Sequence, residues 1–188
     1  WSDLNATIIE PCAGKGQLLL DAYQTCFNAL ATQIPDVLER KRHILEKKLY
    51  FADINSMNIF ICKMLLDPDN EYNLNCAEGD TLEMDMMAIF GRNRFNACLA
   101  NPPYNEDPEA SADPHKKPLY QNWIKYFNNI CDHIVFITPS KWFTSDDKLL
   151  INLREYMKKQ AVIKLQHYSN DDEFPGVSIK GGVSYFHI

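Results

Sequence analysis

Short apolar segments alternate with amphipathic segments along the chain, and this alternation restricts the possible fold more than any other feature. The apolar segments are rich in β-branched and aromatic residues and predict strands at residues 6–10, 49–53, 72–76, 95–100, 133–138, 161–168 and 183–188. Between them, helical periodicity predicts helices at residues 17–30, 36–48, 56–66, 83–90, 119–130 and 147–159, of which the charged helix 36–48 is interpreted as solvent-exposed. This alternation favours an α/β fold with a doubly wound, mostly parallel sheet.

A glycine-rich turn lies between the first predicted strand and the first predicted helix. Residues 10–16 read Glu-Pro-Cys-Ala-Gly-Lys-Gly, and Gly14 and Gly16 allow the backbone to turn sharply and to approach a ligand closely. The segment lacks the spacing of a phosphate-binding P-loop and the third glycine of a GxGxxG fingerprint. Glu10 would repel a phosphate, whereas it suits a cationic group such as the amino group of a methionine moiety.

The fourth predicted strand is followed by Asn101, Pro102, Pro103 and Tyr104. Neither proline has an N–H to donate, so the strand must end there and the chain leaves it in a rigid, extended turn. An amide side chain, a free main-chain carbonyl and an aromatic ring are thereby held at the carboxyl end of a strand, where ligands bind in open α/β sheets. The arrangement suits the exocyclic amine of a planar base.

Together, the two motifs resemble those of the N6-adenine DNA methyltransferases of restriction–modification systems, in the motif order of the γ class. That family has a D/E-P-x-x-G-x-G segment for S-adenosylmethionine and an [N/D]-P-P-[Y/F] segment for the target amine, and residues 10–16 and 101–104 match both. Lys15 departs from the small residue common in the family, and we give its side chain no role. The resemblance implies a Rossmann-like methyltransferase fold with seven strands, the last of them antiparallel.

The resemblance also implies which residues bind S-adenosylmethionine. Asp53, at the end of the second strand, would hold the ribose hydroxyls, and Asp80, after the third strand, would contact the adenine of the cofactor. Carboxylates suit both roles because they only accept hydrogen bonds when ionised. Each acid has an alternative role as the cap of the helix that follows it. The implied cofactor-binding residues are Glu10, Pro11, Cys12, Ala13, Gly14, Gly16, Asp53, Ile54, Asp80 and Asn101, and no metal ion is expected.

The implied reaction is the transfer of a methyl group from a sulfonium to the N6 amine of an adenine that has flipped out of the duplex. Asn101 Oδ1 and the Pro102 carbonyl are the natural acceptors for the two N6 hydrogens, and Tyr104 would stack on the base. Catalysis then rests on positioning and electrostatic preorganisation rather than on a strong general base. The predicted catalytic residues are Asn101, Pro102, Pro103 and Tyr104.

Three further residues are candidates for contact with the nucleic acid. Phe186, in the last predicted strand, is a second stacking partner by resemblance or, alternatively, a core aromatic. Lys116 belongs to a basic segment of a predicted loop at residues 105–118, which either contacts phosphate or is merely solvated. Lys141, beside Trp142, is a second local basic site.

The charge of the chain bears on its domain organisation. The net charge is −6 and the isoelectric point is about 5.3, whereas a free-standing nucleic-acid-binding domain is usually basic. Phosphate contacts are therefore expected to lie largely elsewhere. Predicted strands and helices fill the interval between Gly16 and Asn101 and leave no room for a recognition domain. We expect residues 1–188 to form one methyltransferase catalytic domain, with a target-recognition domain C-terminal to Ile188.

The cysteines indicate a reducing compartment. None forms a C-x-x-C pair or has a zinc-like spacing to histidine, and most lie in apolar patterns that suit reduced core thiols. A cytoplasmic location is therefore expected. No apolar segment is long enough to span a membrane and no secretory signal is visible, so no membrane partner is expected. The six residues are Cys12, Cys26, Cys62, Cys76, Cys98 and Cys131.

Other functions share part of this pattern. The 101–104 motif also suits methylation of RNA, of cytosine N4 or of a protein glutamine amide, although the form of residues 10–14 looks more like the DNA adenine enzymes. A different class is a non-catalytic methyltransferase-like binding subunit, which would be expected to lose Glu10, Asp53 or Asp80. The expected partners are DNA and a restriction endonuclease domain or subunit, although no convincing nuclease motif lies within these residues.

Overall fold

The computed structural model describes residues 1–105, 119–169 and 181–188. The strands are β1 (Ile8–Glu10), β2 (Leu49–Asp53), β3 (Asn75–Glu78), β4 (Phe95–Ala100), β5 (Cys131–Pro139), β6 (Lys164–Tyr168) and β7 (Val183–His187). The α-helices are α1 (Gln17–Ala29), α2 (Val37–His43), α3 (Ser56–Leu66), α4 (Met86–Phe90), α5 (Tyr120–Ile130) and α6 (Lys148–Met157). A π-helical segment, Ile44–Lys48, follows α2, and a 3-10 segment, Ser140–Phe143, follows β5.

The seven strands belong to one sheet in the order β3-β2-β1-β4-β5-β7-β6. Strands and helices interleave along the chain and the sheet is mostly parallel, so the predicted α/β architecture is confirmed. The chain divides into two compact units. The first unit contains Trp1–Ala100 and Ile130–Asp132, and the second unit contains Asn101–Asn129 and His133–Ile188.

The first unit is built on parallel strand pairs. β1 pairs with β2 and β4, and β2 pairs with β3. The carboxyl ends of these four strands therefore lie at one edge of the sheet. β1 and β2 are buried along their whole length, which explains why their residues are almost continuously apolar. α1 packs through Leu19, Ala22 and Cys26, which recur at helical spacing and are buried.

The second unit contains the antiparallel part of the sheet. β7 lies between β5 and β6 and pairs antiparallel with both, as predicted for the last strand. Phe136 and Phe186 are fully buried with ring centroids 6.1 Å apart, and Phe127 of α5 lies 6.3 Å from Phe136. Gly182 precedes β7 with a φ of +74°, and a Cβ there would stand 2.0 Å from the main-chain oxygen of Tyr168. This position therefore requires glycine.

The third strand begins at Asn75 rather than at residue 72, so the predicted boundaries 72–76 were wrong. The carboxylate of Asp67 accepts hydrogen bonds from the main-chain N–H groups of Glu71 and Tyr72, each at 2.9 Å. These bonds hold the segment before β3 in a turn. Tyr72 therefore does not belong to a strand, although its ring is buried in the core. Apolar periodicity does not register a turn of this kind, because a polar side chain organises it through bonds to the nearby main chain.

Two other elements also begin three residues later than predicted. α4 begins at Met86 rather than at residue 83, because the Asp85 carboxylate caps it by accepting from the main-chain N–H of Ala88 at 3.0 Å. β6 begins at Lys164 rather than at residue 161.

The charged segment 36–48 is not wholly solvent-exposed. Lys48 is fully buried, and its Nζ donates to the main-chain oxygens of Asp3 and of Ala6, the latter at 2.9 Å. Arg40 is also buried. Burial lowers the pKa of Lys48 below its ordinary value. The interpretation of this helix as a purely solvated face was therefore wrong for these two cations. Lys48 helps to attach the N-terminal residues to the first unit, whereas Arg40 lies over the Phe27 ring.

Candidate functional site

The glycine turn of residues 10–16 lies against the end of β2 and the start of α3. Ala13 N–H donates to the main-chain oxygen of Ala52 at 2.9 Å, and Gly16 N–H donates to that of Ala13 at 2.8 Å. Gly14 and Gly16 have φ angles of +52° and +82°. A Cβ on Gly16 would lie 3.1 Å from Cys62 Sγ, whereas one on Gly14 would have no neighbour within 4 Å. Gly16 is thus needed for packing as well as for backbone conformation.

Asp53 connects the glycine turn to α3. Its Oδ2 accepts from Gly14 N–H at 2.8 Å, and its Oδ1 accepts from Asn55 N–H at 2.9 Å and from Asn58 Nδ2 at 3.0 Å. The cap of α3 is Asn55, whose side chain accepts from Met57 N–H. Asp53 is therefore not the helix cap that the sequence left open as its alternative role. Three of the roughly four acceptor positions of its carboxylate are occupied, which leaves one for a ligand.

Glu10 is a buried carboxyl group with an unpartnered oxygen. It closes β1, is 4% exposed, and its Oε2 has no hydrogen-bond partner among the described residues. Burial raises its pKa to about 9, and the nearby carboxylates of Asp53 and Asp21 add to the shift. A cation at this position would supply the missing partner and favour ionisation of Glu10. The side chain thus has the properties of a site for an ammonium group.

Asp80 follows β3 and is exposed. Its Oδ1 accepts from Leu82 N–H at 3.0 Å, and its main-chain oxygen accepts from Glu83 N–H. These bonds organise a turn, whereas α4 is capped by Asp85. Asp80 therefore does not cap α4, and its exposed carboxylate retains acceptor capacity.

Thr81 holds the turn of Asp80 to the glycine turn. Its buried hydroxyl donates to the main-chain oxygen of Pro11 at 2.6 Å, and Gly79 N–H donates to the main-chain oxygen of Asp53 at 3.0 Å. Sequence reasoning gave Thr81 and Asn58 no role. The partner of Thr81 is 70 residues away in the sequence, and Asn58 reaches Asp53 from the helix that follows it. A hydroxyl directly after a predicted site acid is the only signal that the sequence offers for Thr81.

The other predicted cofactor residues of the first unit border these groups. Pro11 and Ala13 are buried and Cys12 is half-buried within the turn. Ile54, directly after Asp53, is 72% exposed, which is unusual for a large apolar side chain. The first unit therefore brings Glu10, the glycine turn, Asp53 and the turn of Asp80 together at the carboxyl edge of its parallel strands.

The predicted catalytic motif begins the second unit and follows β4 directly in the chain. Asn101 and Pro103 are exposed, Pro102 is buried and Tyr104 is half-buried. The main-chain oxygen of Tyr104 accepts from Leu119 N–H at 3.2 Å. Burial raises the pKa of Tyr104 to about 12, so its hydroxyl is neutral at physiological pH. The segment is neither helix nor strand, as its two prolines predict.

The three additional nucleic-acid contacts fall in different environments. Phe186 is fully buried, with its ring centroid 6.1 Å from that of Phe136 and 6.5 Å from that of Trp142. This placement favours the core role that the sequence left open, because neither face of a fully buried ring is free for a base. Lys141 is exposed in the 3-10 segment. Lys116 lies outside the described residues.

Three observations concern possible metal, membrane and disulfide features. Among the described residues, no three His, Cys, Asp or Glu side chains are grouped so that they could hold a metal ion. Within the same parts of the chain, no helix is both long enough and apolar enough to cross a bilayer. All six cysteines are free thiols.

The comparisons with known proteins agree with the function that the geometry of the site suggests. Residues 23–174 match the family described as Eco57I restriction-modification methylase. A curated relative from Mycoplasma pneumoniae, described as an uncharacterized adenine-specific methylase, is 27% identical over 144 residues, which are 74% of this chain and 34% of the relative. The chain thus spans about a third of the length of that relative.

Two solved structures share the fold at low sequence identity. A class I S-adenosylmethionine-dependent methyltransferase from Listeria monocytogenes has a TM-score of 0.64 at 13% identity, covering 98% of this chain and 53% of that protein. The ATP-dependent Type ISP restriction-modification enzyme LlaBIII, solved bound to DNA, has a TM-score of 0.70 at 13% identity, covering 100% of this chain and 17% of that protein. These likenesses establish the fold as that of S-adenosylmethionine-dependent methyltransferases.

Proposed function

Because this chain belongs to the Eco57I restriction-modification methylase family, we propose that it forms the catalytic part of an enzyme that methylates the N6 amine of adenine in DNA, with S-adenosylmethionine as donor. The observation that carries the proposal is the buried, unpartnered oxygen of Glu10 beside the glycine turn. A buried acceptor without a partner is costly, and the amino group of the methionine moiety would supply that partner. The similarity to an adenine-specific methylase supports adenine as the acceptor.

The first unit supplies most of the groups proposed to hold the cofactor. Glu10 accepts from the amino group, the remaining acceptor position of Asp53 takes one of the ribose hydroxyls, and Asp80 accepts from the adenine amine. The exposed side chain of Ile54 offers an apolar surface to the adenine ring. The backbone of residues 11–16, which turns at two glycines, allows close approach. When bound, S-adenosylmethionine supplies a methyl group on a positively charged sulfur.

Asn101 and Pro102 are proposed to activate the acceptor amine. The lone pair of adenine N6 is delocalised into the ring, so the amine is a weak nucleophile. Asn101 Oδ1 and the main-chain oxygen of Pro102 each accept one N6 hydrogen, which favours a tetrahedral nitrogen and localises its lone pair. Pro103 keeps the turn rigid. The contribution is one of positioning and electrostatic preorganisation.

Tyr104 is proposed to stack on the target adenine. Stacking of a base on an aromatic side chain contributes about 1–3 kcal/mol in comparable sites. The raised pKa of its hydroxyl makes Tyr104 unsuited to act as a base at neutral pH, which agrees with a mechanism that needs no strong general base. The adenine must leave the duplex to reach these groups. Lys141 is proposed to contact a phosphate, and a phosphate contact by Lys116 stays a prediction.

The rest of the polypeptide is proposed to supply sequence recognition. The matched curated relative is about three times as long as the aligned part of this chain, which supports a catalytic domain within residues 1–188 and a target-recognition domain that follows it. The proposed partners are duplex DNA and a restriction endonuclease domain or subunit, as the family name suggests. A cytoplasmic location is proposed from the six free thiols.

Two measurements test the proposal. Calorimetric titration of the 188-residue chain with S-adenosylmethionine is expected to show one binding site. The full-length polypeptide is then supplied with radiolabelled S-adenosylmethionine and, separately, with duplex DNA, RNA and protein acceptors. We expect label only on DNA, at adenine N6. A folded chain that does not bind the cofactor, or label found only on RNA or protein, contradicts the proposal.

A further inference from the structure

The outer edge of the sheet in the second unit carries a cavity of about 320 Å³. We call it the edge pocket. In the described part of the chain, β6 has β7 as its only neighbour in the sheet, so one side of β6 has no strand beside it. The pocket adjoins this strand through Leu165, and its other apolar walls are Trp142, Phe143, Met157 and Val162. A free strand edge beside an apolar pocket is the combination that binds extended peptides.

The residues at and just before the start of β6 expose more apolar surface than is usual at the solvent-exposed edge of a sheet. Val162 is 41% exposed, Ile163 is 61% exposed and Leu165 is 48% exposed. Edge strands that are protected against pairing usually carry polar or charged side chains instead. Three large apolar side chains at a free edge therefore favour an interaction surface.

The side chains of β6 alternate between two faces. On the pocket face, the His167 ring lies 5.6 Å from that of Phe143, and Leu165 lines the pocket. On the opposite face, Lys164 Nζ lies 5.1 Å from the centre of the Tyr185 ring, and Gln166 accepts from Tyr185 Oη at 3.0 Å. An added strand would accordingly direct every second side chain toward the edge pocket.

The surroundings of the edge pocket are cationic. Arg154 and Lys158 complete its lining, and Lys159 is exposed directly after Lys158, whereas Lys164 is exposed on the opposite face of β6. Glu155 is the acid that accompanies them, and Lys158 binds it at 2.7 Å. An acidic partner is therefore favoured over a second copy of this chain, whose own edge would bring further cations against these.

Of the polar groups that line the pocket, the two cationic side chains are engaged, and the indole N–H of Trp142 is buried without a partner among the described residues. Arg154 Nη1 donates to the main-chain oxygens of Trp142, Phe143 and Ser145 at 3.1–3.3 Å. Lys158 is engaged with Glu155. A base requires donors and acceptors aimed at its edge, whereas the apolar walls suit an aliphatic side chain.

We propose that β6 and the edge pocket bind an extended acidic peptide segment of a partner protein by strand addition, with one aliphatic side chain of that segment seated in the pocket. Main-chain hydrogen bonds to the free edge of β6 supply affinity, the pocket selects the aliphatic residue, and the lysines select flanking acids. The inference does not depend on the proposed methyl transfer.

The test uses the 188-residue chain and a fluorescein-labelled synthetic peptide in which glutamate alternates with leucine. Fluorescence anisotropy is expected to show saturable binding. Leu165→Asp is expected to weaken it by about tenfold or more, because it removes a leucine-sized apolar wall and adds a like charge. Leu38→Asp, at a leucine of the first unit that is 69% exposed, makes the same substitution away from the pocket and should leave binding unchanged.

Two more variants of the experiment separate strand addition from general attraction. A peptide methylated on every backbone nitrogen has no N–H to donate from either edge, so it cannot form the ladder and should not bind. Lys164→Glu, at a fully exposed position, should weaken binding even if Leu165→Asp proves unstable. Equal binding of the methylated peptide, binding of a single-stranded oligonucleotide in place of the peptide, or self-association of the chain through this edge overturns the proposal.

Discussion

The glycine turn of the first unit and the Asn101–Tyr104 motif of the second unit are held in different ways. The glycine turn depends on hydrogen bonds with residues far away in the sequence. Gly14 N–H donates to the Asp53 carboxylate, and the Thr81 hydroxyl donates to the main-chain oxygen of Pro11. The 101–104 motif depends mainly on the fixed φ angles of two adjacent prolines, which need no partner. The turn should therefore be sensitive to changes in distant residues, whereas the motif should lose function without losing structure.

The largest effect is expected for Asn101→Ala. Removing one preorganised hydrogen-bonding group from a reacting centre typically costs about 100- to 1,000-fold in rate. Methyl transfer to DNA by the full-length enzyme should fall by at least that factor, while S-adenosylmethionine affinity and thermal stability change little. Asn105→Ala, which alters an exposed asparagine of the same segment, is the control. A parallel loss of cofactor affinity would assign Asn101 to cofactor binding instead.

The next largest effect is expected for Glu10→Gln. The pKa of Glu10 is about 9 in the folded chain and about 4.5 when it is solvated, so the folded state binds the proton more tightly. The stability of the wild-type chain should therefore fall as the pH rises from about 4.5 toward 9. The cost at pH 7.5 is at most about 4 kcal/mol, because one pKa unit corresponds to about 1.4 kcal/mol.

Glu10→Gln should remove this pH dependence and raise the stability at pH 8, while it weakens cofactor binding. Urea unfolding at several pH values measures the first effect and calorimetry the second. Glu83→Gln, at an exposed position, should change neither. A variant whose stability retains the wild-type pH dependence would show that another group titrates.

A smaller effect is expected for Gly16→Ala, compared with Gly91→Ala as its control. Both glycines have a positive φ, +82° and +67°, so both alanines incur a left-handed strain of about 1–2 kcal/mol. Only the alanine at Gly16 would also meet Cys62 Sγ at 3.1 Å, whereas the one at Gly91 meets nothing within 4 Å. Gly16→Ala should cost about 1 kcal/mol more in urea unfolding. Equal losses would mean that Cys62 yields without cost.

The most discriminating comparison is that of Asp53→Ala with Asp80→Ala. Both are expected to weaken S-adenosylmethionine binding by about 1–3 kcal/mol, the scale of hydrogen bonds to charged groups. Only Asp53→Ala should also lower the melting temperature, because it leaves Gly14 N–H and Asn58 Nδ2 without their acceptor. Calorimetry and thermal unfolding of the two variants give the comparison. Unchanged cofactor affinity in Asp53→Ala would restrict that residue to a structural role.

The features predicted well from the sequence are those that local patterns determine. Strand and helix alternation predicts the α/β sheet, and the paired glycines predict the turn between β1 and α1. The resemblance adds the seventh, antiparallel strand. The acids at the ends of β2 and after β3 are placed at one edge because parallel strands present their carboxyl ends together.

The features missed are those that depend on particular side-chain contacts, which the apolar pattern does not show. The start of β3 shifts because Asp67 organises the preceding turn, and Thr81 reaches Pro11 across 70 positions. The charged sequence around Lys48 predicts a solvated helix, because it does not show that Nζ donates to main-chain oxygens near the N-terminus. The resemblance makes Phe186 a candidate for stacking on a base, yet the packing of β5 against β7 makes it part of the core.

The buried ammonium group of Lys48 makes this residue an internal reporter of local opening. Its Nζ contacts main-chain oxygens of Asp3 and Ala6, so an amine-reactive reagent can reach it only after the N-terminal residues detach. The exposed Lys15 should react at the rate of a free amine. The ratio of the two acylation rates, read by peptide mass spectrometry, measures the free energy of that detachment under native conditions. Ligands that tighten the first unit should slow the labelling of Lys48 alone.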